Sequence, residues 1–245
     1  MADHSMLHEL WECLKDAGGL DGFLSDLQEA QIFHVGRANC LPPPRPSIWQ
    51  SVRPPFHKVV LEFDGAASDP CTHEIIYAEQ MKDGGDGFIC WVAQKGLDGV
   101  WIFSAAILGF RHGEGDYEFR SDCADTARPG LEAAWTLAAH VFDVLRCVNV
   151  ETRDEPAPTK LNAKRVARGK VPLFSYKTLS LAVPNIRRAS ANAGGTHASP
   201  RVHLRRGHIR QLSDDRAIWV QPCVVGSKHG LVQKDYRLVA KAAAV

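Results

Sequence analysis

The sequence contains no aspartate or glutamate between Pro156 and Ser213. The same stretch carries twelve basic residues, which are Lys160, Lys164, Arg165, Arg168, Lys170, Lys177, Arg187, Arg188, Arg201, Arg205, Arg206 and Arg210. Residues 1–150 hold 22 acidic and 11 basic side chains, a net charge of −11, whereas residues 151–245 hold 6 and 18, a net charge of +12. A long stretch of one sign attracts a polyanion such as nucleic acid. The alternative is that the basic half neutralises the acidic half, within one molecule or between copies.

Cysteine is sparse and scattered, since the 7 cysteines include no CxxC pair. A disulfide framework or a clustered zinc site is therefore not expected, and the pattern favours a reducing compartment. The N-terminus has acidic residues where an export signal needs positive charge followed by a long apolar run. The most apolar stretch, Val100 to Phe110, is about half the length that crosses a bilayer. We therefore expect a cytoplasmic protein with no membrane partner.

Common enzyme signatures are also missing. The sequence has no GxxxxGK[ST] phosphate loop, no GxGxxG after a strand and no GxSxG nucleophile elbow. His203, His208, Cys223 and His229 lack the spacing of a zinc finger, and no Asp/Glu cluster suits magnesium. We therefore predict no metal and no cofactor.

Hydrophobic periodicity predicts an α+β fold. Helical spacing of apolar residues indicates one helix that ends at Gly18-Gly19, a short second helix from about Gly22 to Ala30 and a long third helix over residues 129–147. Four β-branched and aromatic runs at 57–63, 72–80, 87–95 and 99–110 indicate an antiparallel meander, on which the long helix packs. The proline-rich segment 41–55 is predicted as an extended strap over the sheet, or alternatively as a ligand for a recognition domain.

The charge reversal suggests a division into an acidic α+β domain, 1–150, and a basic C-terminal region with a β-hairpin, 151–245, unless the two form one continuous fold. Residues 151–160 are interpreted as a connector, and a strand is predicted from Leu173 to Val183. The polar segment 185–200 is predicted to be a loop.

A cluster of basic residues and aromatics forms the first candidate nucleic-acid site. Its predicted members are Lys160, Lys164, Arg165, Arg168, Lys170 and Tyr176. Cations pair with phosphates and exposed aromatics stack on bases, which is typical of single-stranded nucleic-acid binding. The alternative is that Phe174 and Tyr176 form the buried face of a strand.

The second candidate site is a predicted β-hairpin with strands at about 201–212 and 217–225. Its predicted nucleic-acid contacts are Arg205, Arg206, His208 and Arg210. Strict alternation places Arg206, His208 and Arg210 on one face, whereas a bulge at Gly207 brings His203 and His208 to one side. Because the two histidines lie among several arginines, His203 and His208 are candidate catalytic residues of a metal-independent ribonuclease, one as general base and one as general acid. A purely structural hairpin that docks on the acidic half is a further alternative.

Two blocks in the basic half, KLNAKRVARGKVPLFSY at 160–176 and SPRVHLRRGHIRQL with IWVQPCVVG and GLVQKDYRL after it, resemble a family of uncharacterised proteins carried by bacteriophages, prophages and plasmids. One branch of that family includes a type V-A anti-CRISPR protein that acts on the transcript of the CRISPR effector nuclease during translation. The resemblance implies a mobile-element protein in the cytoplasm of a bacterial host that meets RNA, a nascent peptide or both.

The sequence therefore predicts an anti-CRISPR-like or host-takeover factor that binds RNA through its basic half. It is more readily interpreted as a binding protein than as an enzyme. The alternatives are the metal-independent ribonuclease and an inhibitor that binds a host or CRISPR effector protein, with the acidic half acting as a nucleic-acid mimic.

Overall fold

A computed structural model describes residues 6–17, 21–38, 41, 53–65, 71–82, 87–104, 106–112, 116–121, 123–181, 201–213, 216–221, 223–225 and 228–231. Most of the strap predicted at 41–55, the loop predicted at 185–200 and the late GLVQKDYRL block from residue 232 onward lie outside these residues.

Four helices lie within the described residues: α1 (Leu7–Ala17), α2 (Asp21–Glu29), α3 (Arg128–Leu145) and α4 (Thr159–Val166). The strands of the main sheet are β1 (Gln31–Gly36), β2 (Lys58–Phe63), β3 (Cys71–Gln80), β4 (Gly87–Gly96), β5 (Trp101–Phe103), β6 (Ile107–His112), β7 (Asp116–Arg120), β8 (Val150–Glu155) and β9 (Tyr176–Leu181). The C-terminal strands are β10 (Arg201–Arg205), β11 (His208–Ser213), β12 (Arg216–Val220), β13 (Cys223–Val225) and β14 (Lys228–Leu231).

The main sheet confirms the predicted α+β fold. Its strand order is β7-β6-β4-β3-β2-β1-β9-β8, and β5 pairs with the far end of β4. Neighbouring strands from β2 to β7 are antiparallel. The antiparallel meander predicted over 57–110 corresponds to β2–β6, and β7 extends it. The run predicted as one strand at 99–110 is divided into β5 and β6, which pair with different parts of β4. β1 is parallel to both β2 and β9, so the sheet is mixed.

Helices cover the sheet on both faces. α3 packs on one face and contributes Leu131, Trp135, Ala138 and Phe142 to a first hydrophobic cluster. The Trp135 indole stacks on Phe88 with ring centroids 4.5 Å apart, and its Nε1–H donates to the Phe88 carbonyl at 3.1 Å. The long helix predicted at 129–147 therefore packs on the meander, and its observed range is Arg128–Leu145.

The opposite face is covered by α1 and α2, which form a second hydrophobic cluster with β2, β3 and β4. In α1, Leu7, Leu10, Trp11 and Leu14 have helical spacing and are all buried. The first turn of α1 is fixed to the sheet, because the Leu7 N–H donates to Glu62 Oε1 of β2 at 2.9 Å. A carboxylate at a helix N-terminus satisfies a backbone donor that has no partner within the helix.

The main sheet is continuous across the boundary considered at residue 150. β8 and β9 form an antiparallel pair, and β9 adds directly to β1. The segment 151–160, interpreted from sequence as a connector, begins as strand β8. It is followed by α4, a helix that the sequence did not predict.

The C-terminal strands form the predicted hairpin. β11 pairs with β12 and β10 pairs with β13, both antiparallel. Arg205 pairs with Cys223 and His208 pairs with Val220. Two residues therefore separate these pairs on each strand, so the pairing is interrupted at Arg206-Gly207 without an extra residue in either strand. Ile209 and Ala217 of this hairpin pack on Val144 and Cys147 at the end of α3.

No helix in the described ranges is both long enough and apolar enough to cross a membrane.

Candidate nucleic-acid interface

Four exposed cations surround α4, and we call them the helix patch: Lys160, Lys164, Arg168 and Lys170. α4 follows Pro158 and has no buried residue. Arg168 lies in the turn that continues the helix, where its N–H donates to the Arg165 carbonyl at 3.0 Å. Among the described residues, none of the four cations has a carboxylate within ion-pair distance. Their charge is therefore available to an external anion.

Polar side chains hold α4 in place, because it has no apolar stripe to bury. Asn162 clamps the backbone of Leu173, with Nδ2 donating to the carbonyl at 2.9 Å and Oδ1 accepting from the N–H at 2.7 Å. Leu173 itself is buried. The helix is thus fixed through Asn162, while the helix patch faces solvent.

Arg165 differs from its basic neighbours. Its Nε donates to the Val171 carbonyl at 2.7 Å, and its Nη2 lies 3.2 Å from Glu12 Oε1 of α1. Its side chain is 18 % exposed. Arg165 therefore joins the basic half to α1, and its predicted role as a phosphate contact stays a prediction.

Tyr176 and Phe174 pack toward the second hydrophobic cluster. Phe174 lies 5.5 Å from the Trp11 ring, and Tyr176 meets His34 edge-on with ring centroids 5.9 Å apart. Both side chains are half-buried. Their placement matches the alternative in which these aromatics belong to the packed face of a strand.

Several cations elsewhere in the described chain are paired with carboxylates, whereas the exposed Lys15, Arg37 and Lys82 make no ion pair with a described residue. Lys95 contacts Glu9 and Lys177 contacts Asp154. Arg120 lies 2.7 Å from Glu118, Arg128 lies 2.8 Å from Glu132 and Arg153 lies 3.3 Å from Glu155. Several acidic side chains of residues 1–150 are therefore neutralised internally, which weakens their use as a mimic of nucleic acid.

The hairpin carries a second group of exposed cations, which we call the hairpin patch: Arg205, Arg206, Arg210 and Arg216. Within the described residues these four also make no ion pair. Along β11, Ile209 is 5 % exposed whereas Arg210 is exposed, as expected when one face packs on α3 and the other meets solvent. Arg216 was not predicted as a site residue, because it was assigned to the turn.

The two candidate catalytic histidines lie in separate β-ladders. His208 of β11 is half-buried, and its Nδ1 lies 3.1 Å from the Arg206 carbonyl. His203 of β10 pairs with Val225, and its side chain lies outside the described part of the structure. A general acid and a general base must reach the same phosphate, so the ribonuclease stays a prediction.

A polar cavity of about 450 Å³ opens where β2 begins and β3 ends. It is lined by Asp26, His57, Lys58, Glu79, Gln80, Met81, Lys82 and Ile89. Lys58 Nζ lies 2.7 Å from Asp26 and 2.5 Å from Glu29, and hydrogen bonds to these two carboxylates raise the pKa of Lys58 well above its usual range. This cation is already neutralised by two carboxylates.

No group of three or more His, Cys, Asp or Glu side chains in the described ranges is arranged to hold a metal ion. No model of a known protein family, no curated protein and no solved structure matches this chain. The functional argument therefore rests on the site itself.

Proposed function

We propose that this protein binds single-stranded RNA through the helix patch and the hairpin patch. The observation that carries the proposal is the clustering of unpaired charge. Eight exposed cations lie on these two elements and have no carboxylate partner in the described structure. Arg120, Arg128 and Arg153 are paired elsewhere, and the other exposed cations without an ion pair among the described residues, Lys15, Arg37 and Lys82, lie apart from one another on α1, after β1 and after β3. Unpaired cations are free to replace the counterions of a phosphate backbone, and this release drives nucleic-acid binding.

The spacing within the helix patch suits one strand of a nucleic acid. Lys160 and Lys164 are four residues apart on α4, so they share one side of the helix about 6 Å apart along its axis. Arg168 follows four residues later, in the turn after the helix. Neighbouring phosphates on one strand have a comparable separation, so Lys160 and Lys164 can contact consecutive phosphates and Arg168 can extend the row past the helix end.

We favour RNA over other polyanions as the ligand because of the sequence resemblance in residues 160–176 and 199–238. The related mobile-element proteins include one that acts on a transcript, which makes a bacterial messenger RNA the leading ligand. The same resemblance makes an anti-CRISPR-like or host-takeover role the leading biological context. The charge pattern by itself does not distinguish RNA from DNA.

Salt dependence tests the proposal directly. Binding of a fluorescein-labelled single-stranded RNA is measured by anisotropy at several salt concentrations. The logarithm of the association constant falls with the logarithm of salt concentration by about 0.7 per phosphate contacted. The variant K160Q/K164Q/R168Q is expected to reduce this slope by about 2, since it removes three contacts.

A matched control removes three cations that are already paired. The variant R120Q/R128Q/R153Q makes the same change in net charge, and each of its arginines contacts a carboxylate. It is expected to keep most of the affinity and the salt slope. Absence of RNA binding at low salt, or equal loss in both variants, would overturn the proposal. The RNA is recovered and analysed after incubation with EDTA, because cleavage that His208→Ala abolishes would instead support the ribonuclease.

A further inference from the structure

The main sheet has edges of two different kinds. β8 and β7 lie at the ends of the strand order and read VETRDE and DYEFR. Charged residues on an edge strand discourage another strand from pairing with it. The short strand β5, which reads WIF, also lies at an edge because it pairs with β4 alone among the described strands. It carries no charge.

The hairpin that contains β5 exposes apolar side chains. Leu97 is 76 % exposed, Ile102 is 62 % exposed and Phe103 is 39 % exposed. The turn is nevertheless well ordered, since the Gly96 N–H donates to the Val100 carbonyl at 2.9 Å and the Val100 N–H donates to Asp98 Oδ1 at 3.0 Å. An ordered, uncharged and apolar edge is unusual for a surface that meets only water.

The hydrogen bonds between β5 and β4 show which backbone groups of β5 point away from the sheet. The Ser104 N–H donates to the Val92 carbonyl at 2.8 Å, and Val100 accepts from Gly96. The Val100 carbonyl and the backbone groups of residues 102 and 104 therefore point toward β4. By alternation, the N–H and C=O groups of Trp101 and Phe103 point away from β4.

We propose that β5 pairs antiparallel with β5 of a second copy of this chain, with a two-fold axis at Ile102. In this register Trp101 faces Phe103 of the other copy, and the two exchange backbone hydrogen bonds twice. Ile102 faces its own symmetry mate as a non-hydrogen-bonded pair, in which side chains approach most closely.

The sequence around β5 is complementary to itself in this register. Beyond the three residues of β5, Val100 faces Ser104. No like charges lie opposite each other, and the aromatic pair and the isoleucine pair fall on opposite faces of the joined sheet. In this dimer the main sheets of the two copies form one continuous sheet.

Sedimentation equilibrium of the full-length protein tests this inference. The sample is treated with ribonuclease and kept at high salt, so that RNA does not bridge copies and the result is independent of the proposed RNA binding. The wild type is expected at twice the chain mass of 27.0 kDa. Ile102→Lys is expected to raise the dissociation constant of the dimer at least about tenfold, because it places two like charges opposite each other.

Leu97→Lys is the matched control, since it adds the same charge to the turn of the same hairpin outside the paired segment. The Leu97→Lys variant is expected to remain a dimer, with twice the mass of one chain. A monomeric wild type, a dimer that Ile102→Lys leaves intact, or equal dissociation by Leu97→Lys would overturn the inference.

A cysteine variant provides a measurement that does not depend on weakening the dimer. Ile102→Cys places two thiols across the two-fold axis, so mild oxidation is expected to give a covalent dimer in higher yield than for Leu97→Cys or the wild type. Equal cross-linking of the three proteins would contradict the register.

Discussion

The side chain of Asn149 forms hydrogen bonds with both backbone groups of Trp219. Its Nδ2 donates to the Trp219 carbonyl at 2.8 Å, and its Oδ1 accepts from the Trp219 N–H at 2.8 Å. Asn149 precedes β8 and Trp219 lies in β12, so this clamp fixes the C-terminal hairpin to the end of α3. The orientation of the hairpin patch depends on it.

Asn149→Ala is expected to loosen the hairpin. The substitution removes two partly buried hydrogen bonds and leaves their backbone partners unsatisfied, at a cost of about 1–3 kcal/mol. Hydrogen exchange of the amides in β11 and β12 is expected to speed up, while exchange in β2 and β3 stays unchanged. Asn149→Asp keeps the acceptor and should give an intermediate effect. Equal exchange in wild type and Asn149→Ala would show that the clamp does not hold the hairpin.

Arg165→Gln is expected to separate structural cations from RNA-binding cations. The substitution breaks the link to Glu12 and Val171, so the melting temperature should fall. The slope of the salt dependence of RNA binding should change less than in Lys164→Gln, which removes an unpaired charge. Melting curves and anisotropy titrations of the two variants make the comparison. A larger slope change in Arg165→Gln would return this residue to the RNA contacts.

Glu74 gives the fold a predicted dependence on pH. Its side chain is buried, Gln94 Nε2 donates to its Oε1 at 3.0 Å, and burial raises the pKa of the carboxyl above its usual value of 4.5. As pH rises above about 4.5, the unfolded chain releases this proton while the folded chain retains it. The wild type should therefore lose stability relative to Glu74→Gln, by at most about 1.4 kcal/mol per pH unit, until the folded pKa is passed.

Urea unfolding of the wild type and Glu74→Gln at a series of pH values measures this difference, because contributions of other groups cancel. Glu132→Gln, a change at a partly exposed residue of α3, is the control and should show no such trend. A constant difference between wild type and Glu74→Gln across the pH series would contradict the prediction.

Two glycine substitutions should act in opposite directions. A Cβ at Gly109 of β6 would overlap the indole ring of Trp135, so Gly109→Ala should destabilise the fold by about 1–3 kcal/mol. A Cβ at Gly130 of α3 would meet no atom within 4 Å, and Gly130→Ala should stabilise the helix by up to about 1 kcal/mol. Thermal unfolding of both variants tests the sign of each change. Equal stability of Gly109→Ala and wild type would mean that Trp135 can move aside.

Patterns between neighbouring residues predicted much of the fold. The apolar stripes of α1 and α3 and the β-branched runs of the meander are set by short-range periodicity, and the elements appear where the periodicity placed them. α4 was missed because it buries no residue and is held by the polar side chain of Asn162. β8 was missed because an exposed edge strand rich in charges has no alternating pattern.

The sequence indicated which segments carry the exposed basic residues of the candidate site, but not which of these residues are paired. The acid-free stretch directed attention to α4 and the hairpin, where the helix patch and the hairpin patch are exposed and lack carboxylate partners in the described structure, and their role in binding stays a prediction. The difference between Lys164 and Arg165 could not be predicted locally. It depends on Glu12, which is 153 residues away in the sequence.

The parallel pairing of β1 with β9 sets an order of events during synthesis. β1 is complete at Gly36, but its partner on one side begins only at Tyr176. A nascent chain in which β1 to β7 have already paired would keep one side of β1 open until β9 has left the ribosome. Closing the sheet late by such a long-range contact is slow, so partial chains that end before β9 are the forms most exposed to misassembly.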